Sequence, residues 1–120
     1  MARPLILCID DDPDLLHLHT VVLQRSDYEV VGAADADSAV RLLKERAPDL
    51  IVTDHVLPGR SGDEFLDEMR RLRPGVPILL LTGMPLAAVS HSSADEILEK
   101  TSGTKEFLRR VAKMLGGKKA

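Results

Sequence analysis

Short apolar runs recur along this chain, at residues 4–9, 29–33, 49–54, 76–83 and 95–100, and stretches with helical spacing separate most of them. Runs this short, bounded by turn residues, read as buried strands. The first, "PLILCI", leads into three consecutive acids, Asp10, Asp11 and Asp12, and then Pro13. Proline suits a first helical position with Asp12 as its cap, and Leu15, Leu18 and Val22 then follow at helical spacing. "EVVGA" is a second strand, and "DSAVRLLKERA" puts Ala39, Leu42 and Leu43 on one helical face before Pro48 stops it. "DLIVTD" is a third strand, "PGRSG" a loop, and Phe65, Leu66, Met69 and Leu72 mark a third helix. "VPILLLTG" is the fourth and most apolar strand. Residues 84–92 are ambiguous, "DEILEK" is the fifth strand, and Phe107, Leu108, Val111 and Met114 form a closing helix that Gly116 ends. Strands apolar on both faces and alternating with helices imply an α/β doubly wound domain, a five-stranded parallel sheet covered on both sides.

At 120 residues the chain is expected to form one domain over 1–120, with a core from about 4 to 115 and a frayed "GGKKA" tail over 116–120. A formal charge of −3 offers no basic field for nucleic acid, and no helix-turn-helix or zinc-ligand pattern appears. No apolar stretch approaches the roughly 20 residues that span a bilayer, and no secretory signal is visible, so a cytoplasmic location is expected. The single cysteine, Cys8, lies inside the first strand and reads as a small buried hydrophobe.

In an open parallel sheet the ligand site forms outside the carboxyl ends of the strands, where strand order reverses. Asp10 and Asp11 follow strand one, Asp54 ends strand three, Thr82 ends strand four and Lys100 follows strand five. Carboxylates repel phosphate, and no glycine-rich cradle follows strand one, so a phosphate ligand here requires an intervening cation. Oxygen donors from two or three carboxylates suit Mg²⁺, which bridges to phosphate oxygens. With the charge neutralised, one carboxylate is able to attack a phosphoryl group and carry it as an acyl phosphate, while a lysine ammonium and a threonine hydroxyl hold its oxygens.

"CIDDDPDLL", "DLIVTDHVLPGRSG", "LLLTG" and "ILEK" resemble, in order and spacing, the receiver domain of bacterial two-component response regulators. The resemblance implies a flavodoxin-like strand order 2-1-3-4-5, the order found in a chemotaxis member of that family. It also implies that Asp54 is the phosphoacceptor, and that Asp11 binds Mg²⁺ directly with Asp10 assisting, partly through water. The backbone carbonyl of His55 completes the protein ligands, Thr82 is the switch hydroxyl and Lys100 contacts the phosphoryl group. The implied donor is a sensor histidine kinase or a histidine phosphotransfer protein. The implied role is a phosphorelay switch, with no enzymatic activity beyond Mg²⁺-dependent self-phosphorylation and self-dephosphorylation.

Three positions depart from that pattern. Thr101 stands where receivers usually have a cis proline, and a cis bond before another residue costs about 2.5–4 kcal/mol, which predicts a different approach for Lys100. Ile97 replaces the aromatic ring that reports phosphorylation in most receivers. The stretch between Thr82 and Lys100 is shorter than usual, which predicts a shortened fourth helix over 84–92. That helix, the fifth strand and the last helix form the face on which receivers dimerise or meet outputs, so a homodimer is one implied arrangement, and the output partner is not identified.

His17 and His19, two apart on a helix, face different ways and make a poor metal pair. His55 and His91 read as surface or packing side chains, and Lys118 and Lys119 as solvated. Two other functions fit parts of the pattern. One is a phosphatase resembling the haloacid dehalogenase group, with Asp10 as nucleophile and Asp12 as acid/base. The other is a receiver-like module that binds partners without being phosphorylated.

Overall fold

The sheet is built from strands whose alternate residues are buried on opposite faces. The computed structural model describes residues 3–55, 57, 62–86 and 94–116. In chain order its elements are β1 (Leu5–Ile9), α1 (Pro13–Arg25), β2 (Glu29–Ala33), α2 (Ala36–Glu45), β3 (Leu50–Asp54), α3 (Gly62–Leu72), β4 (Ile78–Thr82), β5 (Glu96–Glu99) and α4 (Thr104–Leu115). A 3₁₀ turn over Lys100–Ser102 joins β5 to α4. The five strands are parallel in the order β2-β1-β3-β4-β5.

Ile6 and Cys8 of β1, Leu50 and Val52 of β3, and Leu79 and Leu81 of β4 face Leu23 of α1 and Phe107, Val111 and Leu115 of α4. The intervening Leu7, Ile9, Ile51 and Ile78 face Ala36, Ala39 and Leu43 of α2 and Phe65, Leu66 and Met69 of α3. This period-2 alternation, apolar on both faces, is why β1, β3 and β4 read as unbroken hydrophobic runs. The edge strands are more polar, and ion pairs tie them to neighbouring elements: Glu29 of β2 to Arg46 at 3.1 Å, and Glu96 of β5 to Arg110 and Lys113 of α4 at 3.0 and 3.3 Å.

Local signals set the helix ends. Pro13 opens α1, and the Asp12 carboxylate accepts the N–H groups of Asp14 and Leu15 at 3.0 and 3.4 Å. Asp35 caps α2 by accepting from the Ser38 N–H at 2.7 Å. Gly116 ends α4 in the left-handed conformation, φ +55°, that favours glycine.

Helix α1 forms where the spacing of Leu15, Leu18 and Val22 places it; within it Leu18 is 47 % exposed and the fully buried residue is Leu23. Leucines and valines cover more than half of this helix's circumference, so spacing alone does not show which of them meets the sheet. Helix α2 stops at Glu45, short of Pro48; Arg46 is already extended and its N–H closes on the Leu42 carbonyl at 2.8 Å. The shortened helix expected over 84–92, His91 and Lys118–Lys119 of the tail fall wholly or mostly outside the described residues.

Candidate functional site

The strand register assembles the polar residues that the sequence scatters over 90 positions. Ile9 pairs with Thr53, so the next residues, Asp10 and Asp54, lie side by side where β1 and β3 leave the sheet. Strand order reverses between these two strands, the position at which open α/β sheets bind ligands. Asp54 pairs with Leu81, and Thr82 pairs with Glu99, which brings Thr82 and Lys100 to the same end of β4 and β5.

Carboxylate oxygens of Asp10, Asp11 and Asp54 lie within 4.8 Å of one another. Asp10 is 2 % exposed and Asp11 is exposed, so the trio runs from the sheet edge into solvent. Oδ1 of Asp10 accepts the Asp12 N–H at 2.9 Å, whereas Oδ2 is buried without a hydrogen-bond partner. Lys100 Nζ lies 3.0 Å from Asp54 Oδ1 and 3.7 Å from Asp10 Oδ2. Lys100 reaches the acids although Thr101 replaces the family's proline and no cis peptide bond occurs among the described residues.

Burial raises the Asp10 carboxyl above its ordinary pKa; the Asp12 N–H opposes the rise, and the negative charge of Asp54 adds to it. For Lys100 burial acts downward, but the hydrogen bond and charge of Asp54, with Asp10, prevail and hold the ammonium above its usual value. Cys8, two residues before Asp10, is buried, and burial with Asp10 adding pushes its thiol up to about 12, which disfavours the thiolate that a nucleophile needs.

An all-oxygen donor set, an excess of negative charge over one lysine, and an orphaned buried carboxylate oxygen together fit a hard divalent cation of the Mg²⁺ type. Asp12 takes no part in this cluster, because its carboxylate is committed to the α1 cap. Thr82 is fully buried, and its Oγ1 accepts the Met84 N–H at 3.0 Å. The His55 N–H donates to the Leu81 carbonyl at 2.8 Å, which fixes the residue after Asp54 against β4, and its ring Nδ1 lies 3.4 Å from Thr82 Oγ1. That ring contact had no sequence signal, since nothing in the spacing of His55 and Thr82 shows that their side chains meet. His17 is exposed, and His19 packs against Phe107 with ring centroids 4.8 Å apart; burial, with Lys100 adding, lowers its pKa.

A family model described as the response regulator receiver domain matches residues 6–112. Among curated proteins, the DNA-binding response regulator MtrA of Mycolicibacterium smegmatis is 35 % identical over 115 residues, covering 91 % of this chain and 49 % of MtrA. The phosphate regulon transcriptional regulatory protein PhoB of Escherichia coli is 32 % identical, covering 92 % and 51 %. The chain therefore spans about half the length of these relatives. Among solved structures, a CheY-like receiver domain protein of Methanospirillum hungatei superposes with a TM-score of 0.87 at 27 % identity, covering 97 % of this chain and 96 % of that one. Response regulator TrrA of Thermotoga maritima, solved in complex with Mg(2+)-BeF, gives 0.84 at 31 % identity, covering 92 % and 98 %.

Proposed function

Because this chain belongs to the response regulator receiver family, we propose that it is a phosphoacceptor switch, taking a phosphoryl group on Asp54 from a sensor histidine kinase or a histidine phosphotransfer protein. One observation carries the reading: three carboxylates within 4.8 Å at the β1/β3 reversal, with Lys100 Nζ 3.0 Å from Asp54.

An Asp54 oxygen attacks the phosphorus of a phosphohistidine; the new P–O bond forms as the P–N bond breaks, and the electron pair leaves on the donor's imidazole. Lys100, poised on Asp54, transfers its contact to a phosphoryl oxygen, and the Thr82 hydroxyl donates to another. Asp11, Asp54 and the His55 carbonyl, with Asp10 assisting partly through water, would hold Mg²⁺, which when bound would offset the negative charge of acid and phosphoryl group. Attack of water on the acyl phosphate returns Asp54 and releases phosphate, so the protein is a resettable signal carrier and not an enzyme for an external substrate. A cytoplasmic location and a partner-binding face that responds to phosphorylation belong to the same proposal, as does one receiver domain over the chain. No helix among the described residues is long and apolar enough to cross a membrane.

The test is intact mass after incubation with acetyl phosphate, with Mg²⁺ or with chelator, for wild type, Asp54→Asn and Asp10→Asn. One added phosphoryl group that needs both Mg²⁺ and Asp54 is expected. An adduct that survives Asp54→Asn would overturn the assignment. Phosphate release that depends on Asp10 without an adduct would point to the phosphatase, and neither adduct nor turnover to a module that binds without phosphorylation.

A further inference from the structure

Among the described residues the Thr82 hydroxyl has polar neighbours on two sides. Thr82 is 0 % exposed, and its Oγ1 already accepts the Met84 N–H at 3.0 Å. A hydroxyl carries a single proton, and a buried proton without an acceptor is costly. Among the described residues the acceptor within reach is His55 Nδ1, at 3.4 Å. The His55 ring therefore satisfies Thr82 when its own proton sits on Nε2 and Nδ1 accepts; with the proton on Nδ1, the threonine proton would be stranded. The ring is held for this contact by the backbone, since the His55 N–H is bonded to the Leu81 carbonyl beside Thr82.

We propose that the His55 side chain is a positioning residue that latches the Thr82 hydroxyl in the unphosphorylated protein and sets how readily the switch turns over. The proposal rests on the phosphoacceptor reading, in which Thr82 must turn toward the phosphoryl group. Turning breaks the bond to His55 and the bond to the Met84 N–H together. The latch acts only on the resting state, so weakening it favours the phosphorylated conformation. This is distinct from the His55 carbonyl, which a side-chain change leaves in place.

His55→Phe keeps a ring of similar size and removes the acceptor nitrogen. Calorimetric titration with beryllofluoride and Mg²⁺, a mimic of the acyl phosphate, is expected to show about two- to tenfold tighter binding for His55→Phe. His55→Asn, whose Oδ1 replaces Nδ1 as acceptor, should show less than half of that change on a logarithmic scale. In a Thr82→Ala background the His55→Phe effect should vanish. Without metal, long-range ¹H–¹⁵N spectra of wild type should show the His55 proton on Nε2. Unchanged or weaker binding in His55→Phe, an effect that persists in Thr82→Ala, or a proton on Nδ1 overturns the latch. A wild type that takes up no beryllofluoride overturns the phosphoacceptor reading and the latch with it, whereas binding with unchanged variants overturns the latch alone.

Discussion

Asp10→Asn should make the metal-free protein more stable, an unusual result for a change at a buried, charged site. Asp10 is 2 % exposed, its Oδ2 has no hydrogen-bond partner, and Asp54 and Asp11 oxygens stand within 4.8 Å. A buried unsatisfied group costs about 1–3 kcal/mol, and more when charged. Asparagine keeps the oxygen that accepts the Asp12 N–H and turns the other atom into a donor facing carboxylates. Against this, the variant loses the 3.7 Å ion pair with the partly exposed Lys100, which is worth at most about 1 kcal/mol. The net gain is about 1–2 kcal/mol. At about 2.1 cal/mol/K per residue, a chain of 120 residues has an unfolding entropy near 0.25 kcal/mol/K, so the melting temperature should rise by about 4–8 °C. The assay is thermal melting at neutral pH with chelator, repeated with Mg²⁺. Saturating metal should stabilise wild type, by about 2.7 kcal/mol at 100 times Kd, and the variant by less, so the gap narrows or reverses. The pH dependence follows from the raised carboxyl. The native state keeps the Asp10 proton to higher pH than the unfolded chain, whose ordinary value is 3.8. Wild-type stability should therefore decline as pH rises from near 4 through the folded value and then level off, a decline that Asp10→Asn lacks. An Asp10→Asn protein that melts with or below wild type in chelator would refute the reasoning.

Two further substitutions separate the roles around the cluster. Lys100→Met removes the ammonium from Asp54 and Asp10, so acetyl phosphate labelling measured by intact mass should slow by about 10- to 100-fold, the value of a charge-assisted hydrogen bond; an unchanged rate would remove Lys100 from the mechanism. Asp12→Ala deletes the α1 cap and should cost about 0.5–2 kcal/mol in urea unfolding while the Asp54 adduct still forms; loss of the adduct would mean that Asp12 does more than cap.

The residues of the site were legible because each stands at the end of an apolar run, and a parallel sheet places those ends together. Asp10, Asp54, Thr82 and Lys100 needed only the strands to be found and the register to be regular. Which α1 side chain meets the sheet was not legible because apolar residues cover more than half of that helix, and it is Leu23 that joins the core with β1 and β3 while Leu18 stays outside it. Asp35 as a cap and the end of α2 before Pro48 are local choices among several sequence signals. The His55–Thr82 contact depends on β3 and β4 pairing as they do, a non-local fact that no spacing along the chain encodes.

The ion pairs on the outer strands have a consequence for life at high concentration. An edge strand offers unpaired N–H and C=O groups to any other edge, the geometry from which aggregates grow. Glu29 on β2 and Glu96 and Glu99 on β5 put charge along both rims, and Arg46, just past the end of α2, and Arg110 and Lys113 of α4 crowd them with long side chains. Rim-to-rim docking of two copies would have to bring these charges together and strip their water. The central strands are thus free to be as greasy as two-sided burial demands, because the charged borders keep one sheet from extending into the next.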